Sequence, residues 1–75
     1  MKTIDEKETV YEIYLRYPEI VEILYEFGFT QIKLPQMVQT AGRLITLKKG
    51  CSMRGFDYEK LKKTLEQKGF LVIDS

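Results

Sequence analysis

Helix starts and stops recur so closely along this chain that only short helices fit between them. Thr9-Val10-Tyr11-Glu12 is a capping box, with Thr at the N-cap and Glu three residues on. Val10, Ile13, Tyr14 and Tyr17 then follow at helical spacing, which predicts a helix over Val10–Arg16. Pro18 ends it, because its ring disfavours the helical state of Tyr17. Pro18 also suits the first position of a second helix, where Glu19 complements the dipole. Ile20, Val21, Leu24 and Phe27 form that helix's buried face, with Ile23 at its edge. Gly28 stops it in the left-handed conformation, and Phe29 folds back on Leu24. Asp57 starts a C-terminal helix with the stripe Tyr58, Leu61 and Leu65. Gly69 stops it and Phe70 covers Leu65. The pattern Leu-x-x-x-Gly-Phe thus occurs twice, as one helix stop used at two places.

The middle of the chain holds two more short helices. Pro35 opens the first, with Met37, Val38 and Ala41 inward and Gly42 as its stop. Thr46 caps the second, over Leu47–Arg54, and Gly55 ends it. Leu47, Cys51 and Arg54 share one face of that helix. At the end of the chain, Phe70–Ile73 is β-prone and can pair with Lys2–Asp5, although a lone two-stranded ribbon is marginal. The expected fold is all-α: a compact array of about four or five short helices with a short terminal β pairing. It is one domain spanning residues 1–75.

A chain of 75 residues has a thin core, burying about 60% of its unfolded surface. One cysteine and no histidine leave no internal disulfide and a poor ligand set for zinc. No metal or other cofactor is expected. The lone thiol suits a reducing compartment. The first eight residues are charged, unlike a secretory signal, and no apolar run approaches the roughly 20 residues of a membrane helix. The expected location is the cytoplasm, with no membrane association.

Charge is distributed unevenly. Residues 1–30 carry three basic and seven acidic side chains, net −4, and the remainder carries nine basic and four acidic, net +5. Residues 27–56 contain no acid at all. Within them, residues 37–55 hold three of the five glycines, two of the three methionines, the cysteine, and Arg43, Lys48, Lys49 and Arg54. Either the two halves attract each other across the fold, or the basic stretch faces a partner.

Three kinds of chemistry can be weighed on these residues. Cys51 has Lys48, Lys49 and Arg54 near in sequence, which would favour a thiolate. It lacks a histidine base and a resolving cysteine, so a small apolar filler beside Leu47 is the plainer reading. Lys48 and Lys49 follow the Thr46 cap, where free backbone N–H groups suit an anion. With Arg43 they could hold a phosphate, a carboxylate or an acidic partner; the alternative is a solvated basic turn. Gly42, Gly50 and Gly55 match no phosphate-loop spacing. Glu19, Glu22 and Glu26 line one outward helix face and read as ordinary surface. The tyrosines do not interleave with the basic residues, which argues against nucleic acid.

The segment Thr9-Val10-Tyr11-Glu12, then Tyr17-Pro18-Glu19, Leu24 and Phe27-Gly28-Phe29, resembles the DUF1858 family, small helical domains of unknown function. The later run Pro35, Met37, Thr40, Gly42-Arg43, Thr46 and Lys49-Gly50, with Asp57 and Leu61, is similar to a branch found ahead of DUF438 and haemerythrin-like regions. Another branch carries redox cysteines just after the second helix. Here that place reads Gly28-Phe29-Thr30-Gln31-Ile32, so their disulfide or metal chemistry is not implied. The resemblance implies a compact helical array and a link to redox or metal-linked sensing, and assigns no catalytic residue.

The expectation from sequence is therefore a non-catalytic module. It binds a protein partner, such as a haemerythrin-like or other regulatory domain, through Arg43, Thr46, Lys48, Lys49 and Arg54. An anionic ligand at the Thr46 helix start and a single-thiol redox role for Cys51 are the alternatives. One observation separates the charge readings: a carboxylate within about 4 Å of Lys48 or Lys49 makes an ordinary surface bridge worth up to ~1 kcal/mol, whereas none leaves the patch open.

Overall fold

A computed structural model of the chain describes residues 2–34 and 36–74. The order is β1 (Lys2–Asp5), α1 (Val10–Arg16), α2 (Ile20–Phe27), a 3-10 turn (Thr30–Lys33), α3 (Met37–Thr40), a second 3-10 turn (Ala41–Arg43), α4 (Leu47–Arg54), α5 (Tyr58–Gln67) and β2 (Phe70–Ile73). The expected helical array is present, and the terminal strands pair. The pairing is parallel, with Lys2 opposite Phe70 and Asp5 opposite Ile73. All the helices lie in the crossover between the two strands, so the ribbon closes the domain. It is not left isolated: Ile4 and Phe70 bury their side chains in the core that the helices build.

The caps act where the sequence places them. The Glu12 amide donates to Thr9 Oγ1 at 3.2 Å, and the Thr9 amide donates to Glu12 Oε1 at 2.8 Å. At Gly28, φ is 139°, and the Phe29 amide donates to the Leu24 carbonyl at 2.9 Å, closing the helix end. The same closure recurs at Gly55, with φ 72° and the Phe56 amide on the Cys51 carbonyl at 2.9 Å. Gly69 has φ 93° and is likewise followed by a phenylalanine. Phe29 and Phe56 meet edge to face at 5.0 Å, with Phe27 against both. The two Gly-Phe stops are thus packed on one another.

Several expectations are corrected. α2 starts at Ile20, not at Pro18, with Glu19 as its N-cap and no side-chain cap bond. Glu19 instead forms an ion pair with Lys2, which lowers its pKa. Ile23 is buried and Val21 only half-buried, the reverse of the expected facing. Residues Thr30–Lys33, for which the sequence predicts no element, wind into a 3-10 turn. Gly42 does not stop a helix. It sits buried in the Ala41–Arg43 turn, where an added Cβ would rest 3.5 Å from both the Tyr11 amide nitrogen and Val38 Cγ1. Its smallness serves the approach of that turn to α1. The expected role of Pro35 as a helix opener lies outside the described residues.

Candidate functional site

Two helix starts are held back to back. Thr9 and Thr46, the N-caps of α1 and α4, form an antiparallel bridge. The Val10 amide, which has no partner inside α1, donates to the Ile45 carbonyl at 2.8 Å. Thr46 Oγ1 accepts from the Lys49 amide at 3.2 Å. This bridge fixes where α4 begins and which way each of its side chains points.

Leu47 and Cys51 point into the core, both almost fully buried. Arg54, expected on their face, is exposed, and its guanidinium lies 5.8 Å from the Phe56 ring. Lys48 and Lys49 are exposed. Arg43 is exposed and stacks on Tyr11 of α1, with its guanidinium carbon 4.5 Å from the ring centroid and Nη2 3.4 Å from the hydroxyl.

The acidic first half spends its charge elsewhere. Glu8 pairs with Arg16 at 2.6 Å, Glu22 pairs with Lys33 at 2.9 Å, Glu19 pairs with Lys2, and Glu12 is held in its capping box. A further ion pair joins Lys62 to Glu59 within α5. Among the described residues, none of Arg43, Lys48, Lys49 and Arg54 has a carboxylate within 4.0 Å. The basic patch is open.

Beside it lies an apolar pocket of about 330 Å³. Phe29, Ile32, Met37, Val38 and Ile45 form much of its wall, and Gly50, Met53 and Arg54 close it along α4. Every lining residue except Val10 and Leu24 comes from the acid-free stretch 27–56. Met53, on the pocket wall, is 62% exposed, and Leu44, one residue before the lining residue Ile45, is 85% exposed. Sequence reasoning picked out Arg43, Thr46 and Arg54 around this place, and it missed the pocket, Leu44 and Met53. The signal available was the clustering of glycine and methionine in a stretch without acids.

Cys51 is free and buried. Removal from water pushes its thiol up to about 11, with the charge of Asp57 adding to the effect. At neutral pH the thiol therefore stays protonated, the state of a packing residue and not of a nucleophile. Native protein should react with a thiol reagent far more slowly than the urea-unfolded chain. Equal rates in the two states would restore the reactive-thiol reading.

No helix among the described residues is long and apolar enough to cross a membrane. A family model described as a domain of unknown function, DUF1858, matches residues 4–62. The chain is similar to a solved structure of a conserved domain protein from Streptococcus pneumoniae TIGR4, at 37% identity and TM-score 0.90, covering 100% of this chain and 95% of that one. Among curated proteins nothing matches.

Proposed function

The chain belongs to the DUF1858 family, and from that premise we propose that it is a non-catalytic helical module whose surface around residues 43–54 binds a protein partner. The observation that carries this is the open patch: Arg43, Lys48, Lys49 and Arg54 without a carboxylate, next to exposed Leu44 and Met53. A purely structural basic turn would be expected to find its counter-charges within the fold, and here Glu8, Glu19 and Glu22 of the acidic half pair with Arg16, Lys2 and Lys33 instead. Exposed apolar side chains grouped at a pocket mark an interaction site more than scattered ones do. The family resemblance points to a haemerythrin-like or other regulatory domain as the partner, in redox or metal-linked sensing. A reducing cytoplasm suits the unpaired thiol.

The test is affinity capture from cell extract with wild type, Lys48→Glu/Lys49→Glu, and Lys60→Glu/Lys63→Glu as a control on the exposed face of α5. The first reversal should cost the captured partner at least about tenfold in affinity, since like charges facing each other across an interface cost several kcal/mol. The α5 control should leave it bound. Binding should also weaken as salt rises, because exposed charges are screened beyond about 10 Å at 0.1 M. A partner held equally well by all three proteins would end the proposal.

A further inference from the structure

We infer that the apolar pocket takes the anchor side chains of an acidic segment of the partner: large apolar residues flanked by Asp or Glu. The inference rests on the reading of residues 43–54 as a partner surface and goes further in naming what enters it. The volume, about 330 Å³, is at the small end for ligand pockets, which run from about 300 to 1,000 Å³. It suits a few side chains. A small free acid could fill it, but Met53, on the wall and 62% exposed, also presents apolar surface outside the pocket, which a polypeptide segment covers.

Charge selects the flanks. No acid lines the pocket, and Arg54 is part of its wall. Helical geometry then separates the two lysines. Lys49 precedes Met53 by four residues, so they lie only about 40° apart round α4 and share the pocket's rim. Lys48 lies about 160° from Gly50, the residue that opens the pocket on that helix, and so faces away. Arg43, next in sequence to the lining residue Gly42, is held by Tyr11. A segment lying across the mouth therefore meets Arg43, Lys49 and Arg54, and not Lys48. Gly50 is where the pocket can be filled from within. An added Cβ there makes ordinary contact with Ile45 Cγ2 and the Phe29 ring, both at 3.5 Å, so a longer side chain must extend into the open space.

The experiment is a selection of random peptides displayed on phage against the full chain. The most enriched sequence is then synthesised, and its affinity is measured by fluorescence anisotropy. Enriched peptides should carry large apolar residues flanked by Asp or Glu. Lys49→Glu and Met53→Glu should each weaken the peptide by about tenfold or more, and Lys48→Glu by no more than about threefold. Gly50→Leu should abolish binding with its circular dichroism unchanged. If that variant unfolds, Met53→Glu, on an exposed side chain, carries the pocket test. Peptides without acid enrichment, equal losses at Lys48 and Lys49, or full binding by folded Gly50→Leu would overturn the inference. So would a failure to enrich any peptide. If the captured partner is lost on Lys48→Glu/Lys49→Glu yet held by folded Gly50→Leu, the surface reading stands and the pocket inference alone fails.

Discussion

Phe70→Ala should remove a large share of the domain's stability. Phe70 is the first residue of β2, almost fully buried, and meets Tyr17 edge to face at 5.4 Å. It joins the ribbon to the helical core, next to Ile4 of β1 and Leu61 and Leu65 of α5 in the same cluster. Truncating such a phenylalanine costs about 3–5 kcal/mol. A chain of this length has roughly 4–11 kcal/mol in all. The variant should melt at least about 12 °C below wild type, or be unfolded at room temperature. Leu71→Ala, one residue on and 40% exposed, is the control and should lose far less. A Phe70→Ala melting point within a few degrees of the control would mean that the ribbon is not part of the core.

Gly28→Ala should be the most damaging of the glycine substitutions, at roughly 2 kcal/mol or more. Two costs coincide there. At φ 139° and ψ −4° the backbone is in a region that L side chains rarely adopt. An added Cβ would also stand 2.9 Å from the Phe56 ring, so the ring must move. That ring packs on Phe29, which lines the pocket, and the disturbance should reach the candidate site. Gly55→Ala meets only the first cost, about 1 kcal/mol at φ 72°, with nothing within 4 Å of the new Cβ. Urea titration of the two variants decides this; equal losses would show that Phe56 yields without resistance.

The caps at Thr9, Thr46 and Asp57 and the stops at Gly28, Gly55 and Gly69 were legible in the sequence because each depends on a few adjacent residues. The Gly-Phe pair in fact occurs three times, and all three glycines have positive φ. Gly42 carries the same letter and a different role. Its reason lies in the approach of α1 and Val38, which no local pattern reveals. Arg54 repeats Leu47 and Cys51 at helical spacing, but an eight-residue helix with two inward residues does not constrain its third position. The exchange of Val21 and Ile23 is a rotation of α2 set by its neighbours. The pocket was hidden because its walls come from segments far apart in sequence, from Val10 of α1 to Arg54 of α4, which only the fold brings together. The open charge of Lys48 and Lys49 required knowing where every glutamate goes.

A partner that docks on the pocket and its basic rim must perturb the amides there. Amide chemical-shift mapping of the labelled chain, titrated with the captured partner or the selected peptide, tests it most directly. Shifts are expected at Arg43, Ile45, Gly50, Met53 and Arg54, reduced at high salt, with the outer face of α5 at Lys60 and Lys63 unmoved. Shifts confined to the acidic face of α2 at Glu22 and Glu26, with Gly50 and Met53 silent, would contradict it.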